Sequence, residues 1–140
     1  VIVGHSGGAT AGAALLTMGR TRIACAVLTS GAYGLLERAR MLGRSRDGRT
    51  DTTGSAEFYD PLDHVGGIAR DPARRIVLIG SREDRNTPFV LQQRFADAVA
   101  KAGHRIELRT HAAEPPDFHD LKDRIALQTA SQCAREALLP

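Results

Sequence analysis

The sequence is short of most features that would mark a nucleic-acid, membrane or metal-binding protein. Aromatic residues make up 4% of its 140 positions, and tryptophan is absent. Lysine occurs only at Lys101 and Lys122, so arginine carries nearly all of the positive charge behind a net +3. That charge could suit a polyanion, but it is scattered, and no aromatic side chains are interleaved with it for base stacking. The one local cluster, Arg38, Arg40, Arg44, Arg46 and Arg49, falls in a Gly- and Asp-containing stretch that reads mostly as loop. No nucleic-acid partner is expected. No apolar run approaches the roughly 20 residues needed to cross a bilayer, so no membrane partner is expected either. The start, VIVGHSGG, lacks the basic region and cleavage pattern of a signal peptide. The two cysteines, Cys25 and Cys133, make no metal-ligand pattern. Cys25 lies in an apolar run and reads as a small buried hydrophobe. Phosphate-binding loops are missing too. A Walker A loop needs a lysine before Ser or Thr, and a dinucleotide loop needs G-x-G-x-x-G, whereas Gly4 is followed two positions later by Ser6. Neither metal nor cofactor is expected.

What is present is a regular alternation. The length suits one domain with a real core. Residues 1–4 read as a buried strand with nothing before it to pair with, which predicts a chain that begins in the middle of a fold. Residues 7–19 are a small-residue helix candidate. Residues 22–30 and 75–80 are almost continuously apolar, as in strands buried on both faces of a parallel sheet. Residues 35–42 are a short helix candidate, and residues 43–55 the clearest loop. Residues 88–102 read as a helix, with Thr87 as N-cap, Pro88 in the first turn and Gly103 just past the end. A weaker strand at 105–110, a loop with Pro115 and Pro116, and a helix over 118–138 complete the chain. The order predicts an α/β fold, a mostly parallel sheet with flanking helices.

Between the first strand and first helix stands Gly4-His5-Ser6-Gly7-Gly8, which matches G-x-S-x-G. A serine on a sharp strand-to-helix turn is held in a strained conformation, and glycines beside it let chain pass chain without Cβ clashes. The turn puts the hydroxyl at a helix N-terminus, where the Gly7 N–H can face a developing oxyanion. Such a nucleophile needs a base, and the base an orienting carboxylate. The turn resembles the nucleophile turn of α/β-hydrolases, and that resemblance implies the chain order Ser, acid, His. The strand at 75–80 runs into Ser81-Arg82-Glu83-Asp84-Arg85-Asn86-Thr87-Pro88, which carries two adjacent carboxylates. Counting back from Thr87-Pro88 selects Asp84, since the segment is similar to the D-x-x-V/T-P that hydrolases commonly show at this point. Counting forward from Gly80 selects Glu83, which stays as the alternative acid. Of the five histidines, His5 lies in the turn itself, and His64 and His104 precede the last strand. His111 ends that strand and is the runner-up as base. His119, after the Pro115-Pro116 loop, is the preferred one.

GHSGG with its small-residue helix, IACAVLTSGAYG, FYDPLDHVGGI and RRIVLIGSREDRNTPFVLQQRFADAVAKAGHRIEL together resemble the catalytic domain of the prolyl oligopeptidase family and its acyl-peptide-hydrolase-like relatives. The likeness runs from Val1 to about Arg135 and is most specific over residues 75–108. It implies the C-terminal half of an α/β-hydrolase fold, residues 1–140 forming part of a catalytic domain whose N-terminal half lies outside the chain. It implies a serine hydrolase acting on a peptide or small ester substrate, with Ser6 as nucleophile, His119 as base and Asp84 as acid. It also implies a substrate-binding role for Arg85, just after the acid, and His5 is a further candidate for substrate contact. His5 stands where the family usually shows an aromatic or small residue, which keeps a carboxylesterase-type activity beside the peptidase. The second oxyanion donor is expected upstream of the nucleophile, so the chain alone is expected to be a poor enzyme. The other reading is a non-catalytic α/β-hydrolase-like module, in which Ser6, Asp84 and His119 would not converge.

Overall fold

A computed structural model describes residues 1–43 and 59–138. Most of the expected loop at 43–55, with Arg44, Arg46 and Arg49, and Phe58 of the FYDPLDHVGGI segment, lies outside the described residues. Four strands, β1 (Ile2–His5), β2 (Cys25–Thr29), β3 (Arg75–Gly80) and β4 (Ile106–Thr110), form one sheet in the order β1-β2-β3-β4. Every pairing is parallel, with Val3 opposite Val27, Val27 opposite Val77 and Val77 opposite Glu107. Parallel neighbours need crossovers, and helices α1 (Gly7–Met18), α2 (Leu35–Met41), α3 (Phe89–Lys101) and α4 (Ile125–Leu138) are arranged around them, with a 3-10 segment at Pro61–Gly67.

Side chains on a strand alternate between faces, and the two central strands use that alternation to build two cores. Ala26 and Leu28 of β2, with Ile76 and Leu78 of β3, pack with Ala9, Ala13 and Leu16 of α1 and Phe95 and Val99 of α3. Cys25, Val27, Val77 and Ile79 point the other way and meet Ala130 and Cys133 of α4. The small residues of α1 let it lie close on the sheet: a Cβ on Gly12 would come within 2.7 Å of Leu28 Cδ2. Cys25 and Cys133 are joined as a disulfide across 108 positions, fastening α4 to β2. The pairing was not legible in the sequence, where Cys25 reads only as a buried apolar residue.

Several element boundaries differ from the sequence reading, most by one residue. Residues 22–24 precede β2 rather than belonging to it, although Ile23 is buried. Pro88 is extended (ψ 127°) and occupies the cap position itself, so α3 starts at Phe89. The last helix starts at Ile125, not at 118. Phe118, Asp123 and Arg124 have left-handed backbone (φ 55°, 62° and 51°), which an α-helix cannot propagate, and Ala113 bridges Leu121 instead.

Candidate active site

The C-terminal ends of β1, β2 and β3 open on one side of the molecule, and the turns leaving them carry the candidate site. β1 turns into α1 at Ser6, whose backbone sits at φ 52°, ψ −119°, a strained conformation for a residue with a side chain. What permits the turn is Gly4: a Cβ there would lie 2.5 Å from the Gly8 carbonyl oxygen and 2.8 Å from the Ala9 nitrogen. Gly8 is different, because a Cβ on it would meet open space. Only the first glycine of the motif serves close passage of the chain. Ser6 N–H is anchored to the carbonyl of Thr29 at 2.9 Å. Gly7 is the first residue of α1, so no carbonyl of the helix is available to its N–H.

The turn after β3 brings in the carboxylate. Asp84 has a fully buried side chain (0% exposed). Its Oδ1 accepts the backbone N–H of Asn86 at 2.8 Å and of Thr87 at 2.7 Å, so the turn closes around it. Its Oδ2 lies 2.9 Å from His119 Nδ1. Glu83, one position earlier, is exposed, and its backbone N–H donates to Ser81 Oγ at 3.2 Å. Arg38 of α2 braces the same turn, donating from Nε to the Asn86 carbonyl at 2.8 Å and from Nη2 to its side-chain oxygen at 2.6 Å.

His119 is buried, and its Nε2 is 2.8 Å from Ser6 Oγ. A carboxylate can only accept, so Nδ1 carries the proton toward Asp84. Nε2 then presents its lone pair to the Ser6 hydroxyl, which donates. The hydrogen bond to Asp84 is the largest of the influences raising the His119 pKa; the charges of Asp84, Asp120 and Asp117 add to it, and together they outweigh burial. Backbone contacts fix the loop that carries His119. Ser30, itself at φ 49°, donates from Oγ to the His119 carbonyl at 2.8 Å, and Arg85 N–H donates to the Asp117 carbonyl at 2.9 Å.

The remaining candidates lie around this chain of bonds. Both ring nitrogens of His5 have partners, Thr29 Oγ1 at 3.0 Å and Asp120 Oδ1 at 2.9 Å. The Arg85 guanidinium lies 5.8 Å over the Phe118 ring. His111 Nε2 is 3.5 Å from Asp123 Oδ2, and His64 stacks on Tyr59, so neither approaches Ser6. Ser30, Thr29 and Asp120, which hold the histidines, carry no signal in the sequence. They lie far along the chain from the residues they contact. Among the described residues no group of three or more His, Cys, Asp or Glu could hold a metal ion.

No protein-family model and no curated protein matches the sequence. Solved structures do. The acylaminoacyl peptidase of Pyrococcus horikoshii superposes on 96% of the chain at a TM-score of 0.67 and 14% identity. An acylaminoacyl peptidase in complex with Z-Gly-Gly-Phe-chloromethyl ketone covers 95% at 0.62 and 16% identity. An esterase of Pyrococcus furiosus covers 94% at 0.55 and 17% identity. The chain spans 23%, 21% and 49% of the lengths of these proteins. With four parallel strands among the described residues, helices on both faces and this likeness along nearly its whole length, the chain has an α/β fold that matches part of the α/β-hydrolase fold.

Proposed function

We propose that the chain carries the reacting groups of a serine hydrolase that cleaves peptide or ester bonds through an acyl-enzyme. The observation that carries the reading is the continuous path from Asp84 Oδ2 through His119 to Ser6 Oγ, at 2.9 and 2.8 Å. Ser6 Oγ attacks the substrate carbonyl carbon while its proton passes to His119 Nε2. Negative charge collects on the carbonyl oxygen, which the Gly7 N–H at the positive end of α1 stabilises. The imidazolium formed at His119 is held by Asp84, and its Nε2 proton goes to the leaving amine or alkoxide. Water then attacks the acyl-enzyme, giving its proton to the same nitrogen, and Ser6 is restored. Arg85, beside the acid turn and over Phe118, is the candidate to bind a substrate carbonyl. A non-catalytic module would leave the three groups apart, and their contacts speak against it.

Labelling with a fluorophosphonate probe tests the reading. Wild type is expected to label, and Ser6→Ala and His119→Ala are not. A folded wild type that does not label, or a His119→Ala variant that labels as fast as wild type, would overturn it. A matched pair of peptide anilide and short-chain ester substrates then separates peptidase from esterase.

A further inference from the structure

The dipeptides His5-Ser6 and His119-Asp120 are cross-linked twice. Ser6 meets His119 at 2.8 Å, and the flanking residues, His5 Nε2 and Asp120 Oδ1, meet at 2.9 Å. The two imidazole rings lie 5.2 Å apart between centroids, tilted by 46°. We propose that His5 and Asp120 are a positioning pair, which ties the serine turn to the histidine loop and so sets the Ser6–His119 distance. The proposal rests on the hydrolase reading above, and it assigns His5 to this task rather than to substrate contact.

The other tethers of the histidine loop cannot do this. Ser30 and Arg85 tie the loop to the turns after β2 and β3. The side-chain bond from His5 to Asp120 ties it to the serine turn itself. Its neighbour Thr29 accommodates either state in which His5 Nε2 carries a proton. Thr29 Oγ1 lies 3.0 Å from His5 Nδ1 and 3.3 Å from the Gly4 carbonyl. When His5 is neutral with its proton on Nε2, it donates to Asp120, and the Thr29 hydroxyl donates to Nδ1. When His5 is an imidazolium, both nitrogens donate, and the hydroxyl rotates to donate to Gly4. Asp120 keeps its donor in either state. The side chains are 41% and 76% exposed, so the pair is partly screened by solvent. Its effect is therefore expected on geometry more than on stability.

The test uses the full chain and two readouts. The first is the rate of fluorophosphonate labelling on the high-pH plateau, where His119 is neutral in every variant. His5→Ala and Asp120→Ala are each expected to label about tenfold more slowly, as a small misplacement of reacting groups does. Their thermal midpoints stay at the wild-type value. The double variant is expected to be no slower than either single one, and Asp120→Asn, which can still accept from His5 Nε2, restores most of the rate. The second readout is the low-field NMR resonance of the His119 Nδ1 proton facing Asp84, which is expected to broaden in Asp120→Ala and persist in Asp120→Asn. Labelling of wild type with an unchanged plateau and resonance in the alanine variants overturns the positioning pair and leaves the hydrolase reading standing. Additive losses in the double variant also overturn it. No labelling of wild type overturns the hydrolase reading, and the resonance still decides the pair. Absence of both in folded wild type overturns both.

Discussion

Replacing Asp84 by asparagine separates what this residue holds together from what it does to His119. Its two oxygens have different tasks: Oδ1 accepts from Asn86 and Thr87 at 2.8 and 2.7 Å, and Oδ2 faces His119 Nδ1 at 2.9 Å. An asparagine with its oxygen on the two amides keeps both of those bonds and presents an NH₂ donor to Nδ1. Nδ1 must then be the lone-pair nitrogen, the ring proton moves to Nε2, and Nε2 can no longer accept from Ser6. The wrong tautomer costs roughly 10⁴ in rate in a Ser-His-Asp triad, or about 5.4 kcal/mol on the barrier, and the proposed function predicts the same here. The fold loses much less. Two charge-assisted hydrogen bonds become neutral ones, worth about half as much, a loss on the order of 1.5–3 kcal/mol. Asp84→Ala instead strands the buried Thr87 N–H and the part-buried Asn86 N–H, at up to about 1–3 kcal/mol each, so as much as roughly 2–6 kcal/mol in all. Labelling rates and urea unfolding of the two variants, side by side, give both numbers. Asp84→Asn is expected to be more stable than Asp84→Ala while labelling slowly, and Asp84→Ala to be compromised more severely in folding and to label slowly too. An Asp84→Asn variant labelling within tenfold of wild type would show that Asp84 does not set the tautomer. One as unstable as Asp84→Ala would show that Oδ1 does not hold the turn.

Because the His119 pKa is raised, chiefly by its bond to Asp84, and the proposed mechanism needs a neutral His119, labelling should rise with pH through a midpoint above the ordinary value of about 6.5. A pH–rate profile with a lower midpoint contradicts this. The same shift stabilises the folded protein fully below that ordinary value and is lost as pH rises through the raised one, so the stability gap between wild type and His119→Gln should shrink on going from acid to alkaline pH. Exchanging both Cys25 and Cys133 for alanine opens a cross-link over 108 positions, with an expected loss of about 2–4 kcal/mol in chemical unfolding. Two thiols titrating in the unfolded, unreduced wild type would refute the cross-link. Gly4→Ala should abolish labelling, because its Cβ would press on backbone 2.5 Å away, whereas Gly8→Ala, facing open space at the start of a helix, should fold at least as stably as wild type. Equal effects of the two substitutions would contradict the asymmetry.

How much of this could be read from the sequence depends on how far along the chain each decision is made. The serine turn is contiguous, strand, turn and helix within a dozen residues, so its pattern and punctuation are written side by side. The parallel sheet is nearly as legible, since burial on both faces removes the alternation that strands at a surface would show. The acid is a different problem. Glu83 and Asp84 have the same chemistry and adjacent positions, and the two flanks disagree, the strand end at Gly80 favouring Glu83 and Thr87-Pro88 favouring Asp84. What distinguishes them is the direction each side chain takes, and that is fixed by the amides of Asn86 and Thr87 closing on Asp84.

The segment around His119 is hardest, and for a physical reason. Residues 118–124 have a composition that a helix could use, yet Phe118, Asp123 and Arg124 are held at positive φ, and Ala113 bridges Leu121. Local propensity amounts to a few tenths of a kcal/mol per residue, and several tertiary contacts overrule it: Ser30 on the His119 carbonyl, Arg85 on Asp117, and His5 on Asp120. Each joins residues more than 30 positions apart, and none leaves a mark on periodicity or composition. The Cys25–Cys133 bond is of the same kind, because it forms only once α4 lies across β2. Local sequence encodes the strained turn that presents Ser6, whereas the placement of His119 against it is a property of the assembled sheet. Ser6 should therefore keep its backbone conformation when the histidine loop is loosened, and the Ser6–His119 contact should be the first part of the site to fail.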